Sequence, residues 1–231
     1  MEWKDLFFDF GTMDEEIQKK ILSRKTSSDE LMKHLFEKLE DKRISPRDLS
    51  KVGKLYEEFL LGSRFNQENA EYLSHPIRVT ASYVDYLKQV TYEDVALGLC
   101  HNLKEKLGDE YQKVSDEFVP RSVKSAIEVL TIDRRREKDH AYLKEFYDGI
   151  EQAGKNLMLL KALDKLDNTL IWVLLDLESY HAEIVLNFVC PRIAKSYPGL
   201  ERYLRTLTQY VVTEKAKNQF RSFVIPAQSP G

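Results

Sequence analysis

Cysteine, glycine and proline are all scarce in this chain, and no apolar run is long enough for a membrane span. The only cysteines are Cys100 and Cys190. Both sit inside apolar stretches, which argues against a disulfide framework and for buried thiols in a reduced, cytoplasmic setting. The longest apolar run, near Leu170 to Leu175, is interrupted by Asp176. The opening MEWKDLFFDFGTMDEE is acidic and aromatic and lacks a basic segment followed by an apolar one, so a secretory signal is not expected. Excess charge of one sign is missing too, with 35 Lys and Arg against 38 Asp and Glu. No global field would therefore draw the protein onto DNA or anionic lipid. The short basic run Arg134, Arg135, Arg136 reads as a solvated loop rather than a phosphate-backbone stripe.

What is present is helical periodicity. Apolar residues recur mostly at three- and four-residue intervals, alternating strand patterns are absent, and 231 residues at 42% hydrophobic suffice for a substantial core, so an all-α chain is expected. Residues 1–45 read as an N-terminal extension containing two polar amphipathic helices that meet near the cap signal Ser27, Ser28, Asp29. A helical domain over 46–215 would open at Ser45-Pro46, pass a loop around Asn66 to Asn69, and restart at Ser74-His75-Pro76. Thr91 with Asp94 has the form of a capping box and opens the next helix. Further helices are expected near Pro120 to Thr131, His140 to Gln152, Asn156 to Leu177, Glu178 to Lys195 and Gly199 to Lys215, with 216–231 as a mobile tail.

Two segments put polar groups where a helix should be dry. From Val95 to Leu103, VALGLCHNL, only His101 and Asn102 interrupt a stretch apolar on every side, which belongs in the middle of a protein. Burying an imidazole and an amide there costs a few kcal/mol unless each is hydrogen-bonded or bound to a metal. In NLMLLKALDKLDNTLIWVLLDL, Lys161, Asp164, Lys165 and Asn168 share one helix face, which turns apolar at Ile171, Trp172 and Leu175. That face reads either as a cleft floor or as a solvated stripe in which the lysines pair with Asp164.

Taken in order, these residues resemble the HD-domain metal phosphohydrolases, and among them the Rel/Spo-type alarmone hydrolases. YLSHPIRV supplies Tyr72, His75 and Pro76; GLCHNLKEK supplies His101 and Asn102; KALDKLDNT supplies Lys161, Asp164 and Asn168. The resemblance spans roughly residues 55–176 and implies an all-α HD-type bundle. It implies that His75, His101, Asn102 and Asp164 hold a divalent metal of the Mn²⁺ kind, that Glu105 orients water, and that Lys161, Asn168 and Lys106 face a nucleotide or related phosphoester such as guanosine tetraphosphate.

Three positions depart from the family pattern. Asn102 stands where the family has Asp, and a neutral amide oxygen attracts a dication less than a carboxylate does. Lys106 replaces an acidic residue, and the arginine used against guanine aligns near Asn66, with Arg64 the nearest arginine. Three functions follow for comparison: a metal-dependent pyrophosphohydrolase with a weakened metal site, a catalytically inactive nucleotide- or phosphate-binding module, and a helical interaction protein in which His101 simply hydrogen-bonds Asp164.

Overall fold

The computed structural model describes residues 14–15, 17–18, 27–61, 73–172, 180–213 and 216–218. Every regular element among them is helical, as the apolar periodicity requires. The expected positions Arg64, Asn66 and Tyr72, and most of the tail, lie outside the described residues. The chain divides into two compact units, 24–164 and 1–23 with 165–231.

The larger unit starts with α1 (Ser28–Asp41), where Ser27 accepts a hydrogen bond from Glu30 N–H at 3.2 Å. Helix α2 (Pro46–Lys54) begins at Ser45, whose hydroxyl accepts from Asp48 N–H at 3.1 Å, with Pro46 in the first turn where its missing N–H costs nothing. It runs on as a π-helical stretch, Leu55–Leu60. Helix α3 (Ser74–Tyr86) starts at the expected Ser-His-Pro signal. The Thr91–Asp94 capping box opens α4 (Tyr92–Cys100), with Thr91 N–H donating to Asp94 at 2.9 Å. After α5 (Leu103–Leu107) and a tight 3₁₀ segment come α6 (Arg121–Leu130), α7 (His140–Ala153) and α8 (Lys155–Thr169).

Helix α1, read from sequence as part of an extension, packs on α3 within this unit. It buries Met32, Leu35 and Leu39, and Lys38 and Lys42 reach the end of α3. Lys38 Nζ donates to Asp85 Oδ2 at 2.6 Å, and Lys42 Nζ to the carbonyls of Asp85 and Leu87, both at 3.0 Å. Lys42 thus satisfies carbonyls at a helix C-terminus, where the helix leaves acceptors without partners and its dipole favours a cation.

The smaller unit contains α9 (Tyr180–Ile184), a π-turn over Val185–Val189, α10 (Cys190–Ile193) and α11 (Pro198–Val211). One helix was expected from Glu178 to Lys195, and Pro191 explains the widened turn within it. Proline has no N–H, and its ring collides with the carbonyl four residues back, so the ladder opens by a residue. Arg192 Nη1 fills part of the gap by donating to Phe188 O at 2.8 Å. The helix expected to reach Leu177 leaves regular geometry after Thr169, and residues 173–179 are not described.

Both cysteines are free and buried, and burial pushes each thiol up to about 12. No helix among the described residues is long and apolar enough to cross a membrane.

Candidate functional site

Helices α3, α4 and α8 bring His75, His101 and Asp164 together inside the larger unit. One ligand atom from each lies within 4.8 Å of the other two. His75 Nε2 is 3.3 Å from Asp164 Oδ1, and His101 Nε2 is 3.8 Å from the same oxygen. The two imidazole rings meet edge to face with centroids 5.4 Å apart.

The sequence explains how these rings come so close. Helix α4 is buried from Val95 to Cys100, and within that stretch sits Gly98. A Cβ there would lie 2.5 Å from Thr80 Oγ1 and 3.0 Å from its Cγ2, so only glycine lets α4 approach α3 at this crossing. Thr80 is fully buried and donates its hydroxyl to Pro76 O at 2.6 Å, next to His75. Neither residue had been singled out from sequence, although an isolated glycine inside an apolar helical stretch is a signal of close backbone approach.

His101 is 3% exposed, and its Nδ1 lies 2.6 Å from Gly98 O. A carbonyl only accepts, so Nδ1 carries a proton and the ring turns its Nε2 outward. That Nε2 is buried and has no hydrogen-bond partner. Facing it at 3.8 Å is a carboxylate oxygen. A buried ring nitrogen facing a carboxylate oxygen is stabilised by a positive charge between them, a proton or a metal ion. A metal-binding histidine is commonly fixed by such a bond from its other nitrogen to a backbone carbonyl.

The donors fit a divalent cation. Bonds of about 2.0–2.2 Å place neighbouring ligand atoms roughly 3.0–3.5 Å apart, so an ion would draw closer three atoms that now lie within 4.8 Å of one another. Two imidazole nitrogens and one carboxylate suit Mn²⁺, Fe²⁺ or Zn²⁺ and leave positions open for water or an anion.

The remaining expected residues are placed differently. Asn102 is half-buried in the turn between α4 and α5 and makes no side-chain cap bond. The helix breaks at that turn, where the His101 ring bonds to the Gly98 carbonyl, the acceptor that Asn102 N–H would use in an unbroken helix. The four-residue spacing from His101 to Glu105 therefore does not put them on one helix face. Glu105 instead receives Arg134 Nη2 at 2.7 Å. Lys106 is exposed. Lys161, expected to face substrate, is buried with its Nζ 3.2 Å from Asp164 Oδ2 and 3.4 Å from Leu130 O. The lysine–aspartate pairing suggested by the spacing is thus present, but in the interior rather than on a solvated stripe. Asn168 follows on α8 one turn beyond Asp164, in the residues assigned to the smaller unit.

The basic run is neutralised locally: Arg134 pairs with Glu105 and Glu137, Arg135 with Asp133, and Arg136 with Asp139. Against this geometry, neither a family model, nor a curated protein, nor a solved structure matches the chain.

Proposed function

We propose that the protein is an HD-type metal-dependent phosphohydrolase with a weakened metal site, acting on a nucleotide pyrophosphate or related phosphoester such as guanosine tetraphosphate. The observation that carries this reading is the unpartnered Nε2 of His101 facing Asp164 Oδ1 beside His75. If the polar residues merely satisfied one another, His101 and Asp164 would be hydrogen-bonded, and at 3.8 Å they are not.

In this reading His75, His101 and Asp164 hold the cation, with Asn102 adjacent in sequence to offer a neutral oxygen. A bound Mn²⁺ would supply Lewis acidity toward a phosphoryl oxygen and lower the pKa of a water. Gly98 O fixes the His101 tautomer, and Lys161 orients Asp164 by holding its second oxygen. Glu105 is the acidic residue available to orient water, with Arg134 setting the direction of its carboxylate.

The test is incubation of purified protein with Mn²⁺ and a nucleotide panel that includes guanosine tetraphosphate. Turnover is expected from the wild type and not from His101→Ala, and equal rates for the two proteins overturn the proposal. A second reading, an inactive phosphate-binding module, is favoured by the Glu105–Arg134 pair, which occupies the one candidate base. It predicts thermal stabilisation by nucleotides in the absence of metal and no hydrolysis in its presence.

A further inference from the structure

Asp164 is divided between two kinds of partner. Its Oδ1 faces the imidazoles at 3.3 and 3.8 Å, while Oδ2 is held by Lys161 Nζ at 3.2 Å. Both members of the ion pair are nearly dry, 5% and 6% exposed. The lysine is anchored at its far side as well, near the carbonyl of Leu130, the last residue of α6, where a helix end favours a cation. Lys161 thus bridges Asp164 Oδ2 and the end of α6, while Asp164 Oδ1 faces the imidazoles.

We propose that Lys161, by already neutralising Asp164, makes this site hold a divalent cation firmly only together with a phosphate-type anion. This rests on the metal-site reading and adds to it the charge class of the ligand. Imidazoles bound to a cation are neutral, and the Asp164 carboxylate is offset by the Lys161 ammonium, so this ligand set supplies no net negative charge. A dication would therefore bring two uncompensated positive charges into a buried place, where unpaired charge is strongly disfavoured. A multiply charged phosphate at the open coordination positions removes that excess, whereas a neutral ligand cannot. Since coupling between two ligands is reciprocal, the cation must strengthen anion binding by the same factor.

Mn²⁺ binding is to be measured by electron paramagnetic resonance of the free ion, in chloride buffer and with added inorganic phosphate, for the full-length wild type and for Lys161→Met. Inorganic phosphate is expected to tighten Mn²⁺ binding to the wild type by about tenfold or more. In chloride alone, Lys161→Met is expected to bind Mn²⁺ more tightly than the wild type and to gain less from phosphate. Thermal melts check that the variant folds, and Lys161→Gln serves as the second variant; the wild-type comparison needs neither. Equal wild-type affinity in the two buffers, or a folded Lys161 variant that binds Mn²⁺ no more tightly than wild type, overturns the inference. If in that case His101→Ala still abolishes Mn²⁺ binding, the metal site stands without the coupling. Failure of the wild type to bind Mn²⁺ in either buffer overturns both.

Discussion

Gly98 and Thr80 control how near the two imidazoles come. A methyl group at 98 would sit 3.1 Å from Thr80 Cβ as well as against its Oγ1, and the Thr80 hydroxyl is committed to Pro76 O. Gly98→Ala gains about 1 kcal/mol of helix propensity. Against that gain stands an overpacking cost of about 1–3 kcal/mol in a closed core. We expect a net loss of stability on the order of 1 kcal/mol, weaker Mn²⁺ binding as α3 and α4 separate, and partial recovery of both in Gly98→Ala with Thr80→Ala. Denaturant titration and Mn²⁺ binding check this, and a Gly98→Ala protein indistinguishable from wild type in both would refute it. The ligands themselves were legible at this scale because His101 interrupts a dry helix and must find a partner. Their spacer was less so, since a glycine declares a close approach without saying to what.

At the scale of elements, helix starts were more legible than helix interruptions. Ser27, Ser45 and the Thr91–Asp94 pair all cap helices through local hydrogen bonds that a short window of sequence contains. The break after Cys100 coincides with an imidazole bonding to a backbone carbonyl, which apolar periodicity does not record. The segment from α5 to α6 is held by another such set of polar contacts. Lys124, 7% exposed, donates to Gln112 O at 3.2 Å, to Val114 O at 2.6 Å and to Asp116 Oδ1 at 2.8 Å. Nearby, Glu128 accepts from Lys104, Tyr111 and Gln112.

Hydrogen bonds from Lys124 and Arg121 hold the Asp116 carboxyl below its usual range. Partial burial alone would raise Glu128, yet the bonds from Lys104, Tyr111 and Gln112 outweigh it and lower that group too. Both folded-state values are depressed, so the stabilisation is present above the unfolded carboxylate range near pH 4 and is lost as pH falls through the depressed values. Lys124→Met removes the donor from two carbonyls and is expected to cost about 1–3 kcal/mol. It should also flatten the acid limb of a stability–pH curve. An unchanged acid limb would mean that Asp116 draws its low value from Arg121 alone.

For the molecule as a whole, three segments distant in sequence converge on one cluster of ligand atoms, and of the residues expected to face substrate Lys161 joins it through Asp164. Glu105 is taken by Arg134, and Lys106 is exposed. Metal ligands must converge within a few ångströms, so their motif is readable once one buried histidine is noticed. Substrate contacts are set by loops and charges whose positions depend on the rest of the chain. The same distinction decides what restoring family-like charges would do. Asn102→Asp adds a negative charge next to His101 in the half-buried turn, where solvent screens little, whereas Lys106→Asp acts from the surface through water and salt. The double variant is therefore expected to bind Mn²⁺ at least about tenfold more tightly, with nearly all of the gain present in Asn102→Asp alone. Because the added carboxylate offsets Lys161, Mn²⁺ binding to it should also depend less on phosphate, and phosphoester hydrolysis should rise. Mn²⁺ affinity unchanged in the double variant would place the Asn102 side chain away from the cation and leave His75, His101 and Asp164 as its whole protein ligand set.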